Sequence, residues 1–376
     1  MTASVPAAVR GAVRAERALL FVGVTAALFA RLGGDWLEDL HSPVRPWVLF
    51  AWLFAAIVAG AISVVRHADH LAARLGEPYG TLVLTLSVAA IEIMTIAVVM
   101  LTGEDNPTLA RDTMFSVVMM VLNGLIGTVL LLGGWRYREQ EYNLRGVNAY
   151  LGVIIALAIF GLILPNFTES SAGPTFSERQ EAFLIAMSVA LYAVFLAIQT
   201  TRHRGFFVLG DQEDGLGGHH HSRAMAQTPL YHGAVLAAYL GLVVYLAEKL
   251  AIILNHALDV LRAPPKLGAI VVALLVLSPE GLGAVQAALA NRLQRAVNIL
   301  LGSVLATLAL TIPSVLAIGL LQHKAVILGL GGVDEVMLAL TLLVGTVTFA
   351  SGRTNILQGV VHLMLFLGYL MLIFWN

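Results

Sequence analysis

The chain has 376 residues, 59% hydrophobic and only 12% charged, with a formal net charge of −1 and no cysteine. Its mean hydropathy is +0.85, and its charged fraction is about half the roughly 25% of a soluble globular chain, which excludes a soluble enzyme and points to the lipid bilayer as solvent. The near-neutral charge gives no reason to expect a nucleic-acid partner, and the lack of cysteine removes disulfides, thiolate metal sites and thiol catalysis.

Arg10, Arg14 and Arg17 precede the first apolar run, which reaches Arg31 without a small-residue cleavage site. It is expected to be a permanent membrane segment, not a leader. A membrane helix needs roughly 20 apolar residues. Runs bounded by charges, Pro and Gly give eleven candidates, near 18–34, 46–65, 79–103, 112–134, 146–165, 180–200, 231–259, 267–290, 296–321, 333–351 and 354–375. The last two are separated only by Ser351-Gly352-Arg353, so ten or twelve spans are also compatible. None shows the apolar/polar alternation of a transmembrane strand. The expected fold is therefore an all-α polytopic membrane protein.

With eleven spans and the N-terminus inside, fourteen Lys and Arg fall in inside segments and seven in outside segments, Lys249 lying within a span. This two-to-one bias supports a cytoplasmic N-terminus. The longest polar stretch, 202–229, contains Asp211, Glu213, Asp214 and His219-His220-His221 and reads as a flexible cytoplasmic linker. The chain then divides into an N-terminal segment with an extra helix (1–45), a first five-helix repeat (46–201), the linker, and a second five-helix repeat (230–376).

Two tandem units of five spans must be inverted relative to each other, as in many secondary transporters. Gly80 lies twelve residues before Glu92, and Gly268 twelve before Glu280, with apolar or small residues between. At 1.5 Å per residue, each carboxylate falls about 18 Å along its helix, near the bilayer midplane from opposite sides. A charge there costs about 2.5–3.5 kcal/mol on insertion scales, so Glu92 and Glu280 are the candidate cation- and proton-binding residues, and the candidate ligands of a transported metal ion.

Pro279 has no N–H for the carbonyl of Leu275, and Gly281 and Gly283 flank the glutamate, so freed carbonyls are expected beside Glu280. Ser278 is a further candidate. On the following spans, Ser116 lies twenty-four residues after Glu92 and Ser303 twenty-three after Glu280. Asn298-Ile-Leu-Leu-Gly302-Ser303 resembles Asn123-Gly-Leu-Ile-Gly127-Thr128, but its offset from the glutamate differs, so the serine spacing is the better repeat register. Asn298 joins Ser116 and Ser303 as a candidate. Small polar residues in spans also serve plain helix packing.

These strings resemble the calcium/proton exchanger family of the cation/Ca²⁺ exchanger superfamily, and most closely its bacterial Cha-type calcium/proton and sodium(potassium)/proton antiporters. The strings are Arg74-Leu-Gly-Glu77-Pro-Tyr-Gly80 leading to Glu92, Arg111-Asp112-Thr113, Leu277-Ser278-Pro279-Glu280-Gly281-Leu-Gly283-Ala284, Gly302-Ser303-Val-Leu-Ala-Thr307 and Ser351-Gly352-Arg353-Thr354-Asn355-Ile-Leu-Gln-Gly359. The resemblance runs from about residue 46 to the end. It implies eleven spans, a membrane-plane pseudo-twofold and one essential glutamate per repeat, here Glu92 and Glu280. The wider family writes Gly-Asn-x-x-Glu in both repeats, where this chain has Val88-Ala89-Ala90-Ile91-Glu92 and Val276-Leu277-Ser278-Pro279-Glu280. The loss of both asparagines leaves fewer ligands for Ca²⁺, which takes six to eight, and opens the site to Na⁺ or K⁺.

Glu248 and Lys249 lie inside the seventh span. Neighbours on a helix point about 100° apart, so they are expected not to neutralise each other simply. Glu248, which resembles a glutamate of the family's Ala-Glu-x-Leu string, is a candidate for the proton path or an outer vestibule. Asp69, between His67 and His70, suits a solvated helix end or an ion entrance. The linker is expected to be a solvated connector, with Ca²⁺ or transition-metal sensing as the alternative, and it lacks the EF-hand pattern.

A carboxylate at low dielectric holds a proton or a cation and resists being bare and charged. The expected function is therefore secondary cation/proton antiport by alternating access, exporting Ca²⁺, or Na⁺ or K⁺, across the bacterial inner membrane, with no permanently bound cofactor and no enzymatic activity. A channel or uniporter using the same glutamates as a filter is the alternative within transport. An intramembrane hydrolase is the alternative class, although neither His-Glu-x-x-His nor Gly-x-Ser-x-Gly occurs.

Overall fold

The computed structural model describes residues 7–38, 40, 42, 44–75, 86–87, 89–94, 96–97, 100, 107–171, 173–209, 228–264 and 266–375. The Glu77-Pro-Tyr-Gly80 string, the acidic and histidine residues of the linker and the side chain of Asp69 lie outside this set.

In chain order come α1 (Ala7–Glu38), α2 (Arg45–Leu75), a short helical run about Glu92, and α3 (Leu109–Met119) continuing through a π-helical turn (Met120–Leu125) into α4 (Ile126–Tyr137). Then follow β1 (Glu139–Glu141), α5 (Leu144–Ala158) with a π turn (Ile159–Ile163), and α6 (Glu178–Ala197) with a π turn (Ile198–Arg202). After the linker stand α7 (Pro229–Leu261), α8 (Lys266–Leu289) and α9 (Leu293–Ala306), the last leading through a π turn (Thr307–Thr311) into α10 (Ile312–Gln322). The chain closes with α11 (Gly332–Thr348), β2 (Arg353–Asn355) and α12 (Ile356–Trp375).

Among the described residues, nine helices are long and apolar enough to cross a membrane. They match nine of the eleven expected runs. The run at 333–351 is the helix Gly332–Thr348, of 17 residues, and most of 79–103 falls outside the described residues. The protein is an all-α polytopic membrane protein.

The chain forms two compact units. The first holds residues 1–95 and 214–268, where α2 packs along α7 and against α1. Gly60 makes the α2–α7 approach possible: a Cβ there would stand 2.5 Å from Cγ2 of Val243. Close approach through small residues is how helices associate when lipid offers no hydrophobic drive. Phe29 meets Trp36 and Trp52 edge-on between α1 and α2, the two indoles being tilted to each other, with Trp52 Nε1 donating to Thr25 Oγ1 at 3.2 Å. Deeper along α2 and α7, His67 Nδ1 and His232 Nδ1 lie 2.9 Å apart.

The second unit holds residues 96–213 and 269–376. Its interior is made by the spans 109–137 and 293–322, 78% and 67% buried over their apolar windows against 22–44% for the other seven. On α4, Gly127 faces Gly359 of α12; a Cβ at either position would meet the other helix's backbone within 3 Å. No strand was expected from the sequence, yet β1 and β2 pair antiparallel, with Gln140 opposite Thr354. This pair ties the turn after α4 to the turn before α12.

Candidate functional site

Glu280 stands on α8 fourteen residues from Lys266 and nine from Leu289, so an apolar helix holds a carboxylate far from both ends. Pro279 does not break this helix. The expectation of a freed carbonyl is corrected here: Ser278 Oγ donates to Leu275 O at 2.9 Å, supplying the hydrogen bond that Pro279 cannot. Ser278 thereby spends its hydroxyl on its own helix. Gly281 serves packing, because a Cβ there would sit 3.0 Å from Cδ2 of Leu125 in the first π turn.

Ser303, on α9, donates to Glu280 Oε2 at 2.5 Å. Among the described residues no ion pair reaches Glu280, and its donor is a neutral hydroxyl. Asn298, five residues earlier, is occupied elsewhere: its Nδ2 donates to Phe207 O at 2.8 Å and its Oδ1 accepts from Gln294 Nε2 at 2.8 Å.

Ser116 occupies the matching place in the other interior span, four residues before the π turn at Met120, as Ser303 is four before the one at Thr307. The serine register inferred from spacing is thus repeated by the two π turns. Its contacts differ. Ser116 Oγ donates to Asp112 O at 2.7 Å and lies 2.9 Å from Tyr369 OH. In the first unit, Glu92 is 5% exposed, and Ala89 and Ile91 beside it in the chain are buried as well. Glu248 is corrected from the expectation that it and Lys249 stand apart: Lys249 Nζ lies 2.8 Å from Glu248 Oε1 and over the ring of Tyr245. The long lysine chain swings back across the 100° between them.

Sequence reasoning passed over two groups in the second unit. His362, Asn123, Thr341 and Thr348 are all at most 3% exposed. Asn123 Nδ2 donates to Thr341 Oγ1 at 2.8 Å, Asn123 Oδ1 lies 3.2 Å from His362 Nδ1, and His362 Nε2 lies 3.0 Å from Thr348 Oγ1. A lone histidine within the last apolar run was the available signal. The second group ends the Glu280 helix. Tyr137 OH donates to Leu289 O at 2.8 Å and Gln140 Nε2 to Ala288 O at 2.9 Å, capping carbonyls the helix leaves open. Tyr142, in the same turn outside the spans, has its phenol pKa raised by burial.

A polytopic α-helical fold with a carboxylate deep in an apolar helix and a neutral donor on the next defines the class of secondary ion transporters. The sodium/calcium exchanger protein family model matches residues 45–201 and 231–375, and the chain belongs to that family. It is 43% identical over 319 residues to the sodium-potassium/proton antiporter ChaA of Escherichia coli, covering 85% of this chain and 86% of that one. It is also 42% identical over 332 residues to the putative ionic transporter y4hA of Sinorhizobium fredii, covering 88% and 89%. Among solved structures, native YfkE superposes with a TM-score of 0.71 at 19% identity, covering 96% of this chain and all of that one. The H⁺/Ca²⁺ exchanger CAX gives 0.69 at 15%, covering 95% and 88%. At these identities the structural likeness concerns the fold.

Proposed function

We propose that this protein is a cation/proton antiporter of the bacterial inner membrane, with a cytoplasmic N-terminus. It exports Na⁺, K⁺ or Ca²⁺ in exchange for H⁺, and Glu92 and Glu280 each hold either a cation or a proton. The observation that carries this reading is Glu280: a carboxylate deep in an apolar helix whose described donor is the neutral hydroxyl of Ser303. A single negative charge in that setting must be neutralised, and exchange of one neutralising partner for the other is the coupling step. The E. coli relative, named a sodium-potassium/proton antiporter, supports monovalent cations among the substrates. Ala89 and Leu277, where the wider family places asparagine, support a site with fewer oxygen ligands than Ca²⁺ favours.

The test uses everted membrane vesicles acidified by respiration, with a quenched acridine dye reporting the gradient. Na⁺, K⁺ and Ca²⁺ are added in turn to wild type, Glu92→Gln and Glu280→Gln. Collapse of the gradient in wild type and in neither variant supports the reading, and the order of effective ions names the substrate. If no cation moves protons in wild type, the antiporter reading fails. Ion flux without proton movement would instead favour a uniporter.

A further inference from the structure

Three buried hydroxyls in the second unit have no hydrogen-bond partner among the described residues: Ser188, Tyr192 and Thr311. They are 0%, 5% and 0% exposed. Leaving a buried hydroxyl unsatisfied is unfavourable, so three in one region need an explanation.

Their placement is ordered. Leu184, Ser188, Tyr192 and Phe195 are the buried residues of α6 and recur at helical spacing along one face. The elements α6 packs against include α10 and the π turn Thr307–Thr311. The span from α9 to α10 crosses the membrane three spans after α6 and so runs in the opposite direction. Ser188 lies ten residues from Glu178, at one end of α6, and Thr311 eleven from Gln322, at the adjoining end of α10. Tyr192 lies fourteen from Glu178 and Thr307 fifteen from Gln322. The hydroxyls therefore fall at two shared depths, Ser188 with Thr311 and Tyr192 with Thr307.

The π turn decides where this file leads. Over eight residues of unbroken α-helix, Thr311 would sit about 80° around the axis from Ser303. One additional residue in a π turn brings it back to within roughly 20°. Ser303, Thr307 and Thr311 consequently share one line, all buried, and that line ends on the Glu280 carboxylate through the 2.5 Å bond from Ser303. Two helical turns before Ser188, Glu181 stands on the same face of α6 at its end, partly exposed.

We propose that these hydroxyls line a hydrated proton route to Glu280, running from Glu181 past Ser188 and Thr311, then Tyr192 and Thr307, to Ser303. Hydroxyls and bridging waters both donate and accept, so a file of them passes a proton without a net change in any member. A dehydrated metal cation, which needs several oxygens at once, gains little from single hydroxyls spaced a helical turn apart. The route carries H⁺ and leaves the cation to another path. The inference rests on the antiport reading above.

The test separates proton-coupled from proton-free exchange in proteoliposomes. Ser188→Ala, Tyr192→Phe and Thr311→Val, singly and combined, remove hydroxyls and keep shape. Exchange of labelled for unlabelled substrate cation needs no proton and reports an intact fold and cation site. The triple variant is expected to slow cation/H⁺ exchange by at least ~10-fold, the low end of what a positioned proton-transfer group contributes being larger still, with cation/cation exchange and its apparent affinity unchanged. Wild-type cation/H⁺ rates in the triple variant overturn the route and leave the antiport reading standing. An equal fall in both exchanges also overturns it, assigning the hydroxyls to packing. A wild type that couples no cation to H⁺ removes the antiport reading and the route together.

Discussion

Residues 109–137 and 293–322 form two spans with the same plan: a helix, a serine four residues ahead of a π turn, and a second helix. In one span Ser303 reaches out to Glu280. In the other Ser116 turns back to its own helix at Asp112 O and meets Tyr369. The turns themselves also differ, since the first holds Asn123 in a buried network with His362, whereas the second carries Thr307 and Thr311. A repeated backbone break thus supports two uses: one turn fastens helices together, and the other opens a polar line toward a carboxylate.

The largest expected effect breaks the second of these uses. Glu280→Gln keeps the size of the side chain and the hydrogen bond from Ser303 but removes the exchangeable charge, so cation-driven proton movement in vesicles should fall by ~100-fold or more. Next comes a direct comparison of the serines. Ser303→Ala deletes a hydroxyl–carboxylate bond worth about 1.5–3 kcal/mol, so cation/H⁺ exchange should change by roughly tenfold or more. Ser116→Ala should change it by less than ~3-fold, because its bonds run to a backbone carbonyl and a phenol, each net worth about 0.5–1.5 kcal/mol, with no contact to the charge. Equal effects at the two positions would make them functionally equivalent and erase the contrast.

Asn123→Leu tests the fastening turn. It removes the amide that bridges His362 and Thr341 and leaves each with its weaker or second contact, Thr348 for His362 and Met119 Sδ for Thr341, a loss of about 0.5–1.5 kcal/mol per hydrogen bond, so thermal stability in detergent should drop while apparent cation affinity holds. A loss of affinity without a loss of stability would move Asn123 from the scaffold to the transport site. The smallest effect is expected at the strand pair that follows the first span. Arg353 pairs with Glu141 at 2.6 Å with both side chains about 60% exposed, and an exposed pair contributes ~0–1 kcal/mol. Arg353→Ala should leave stability and transport near wild type.

Much of the fold was legible because membrane helices are specified by long apolar runs. The runs at 112–134 and 296–321 lie within the observed spans 109–137 and 293–322, and the run at 354–375 starts two residues before the helix 356–375. Glu280 was legible for the same reason, as a charge where apolar residues dominate. Pro279 was misread, because a local rule about a missing N–H does not see that Ser278 can take the carbonyl instead. Glu248 and Lys249 were misread because ideal side-chain directions ignore the reach of a lysine. The β1–β2 pair was illegible: three residues on each side, 214 positions apart at Gln140 and Thr354, carry no periodicity.

By itself, the sequence determined the solvent and the helical class and singled out Glu92 and Glu280 as candidates, because each reading follows from transfer free energies that act residue by residue. Tertiary structure decided which polar groups meet. Ser303 and not Asn298 reaches Glu280, His362 joins Asn123, and a π turn realigns Thr311 with Ser303. Those outcomes depend on helix rotation and on the packing of segments distant in the chain, where one extra residue in a turn shifts every following side chain by about 100°.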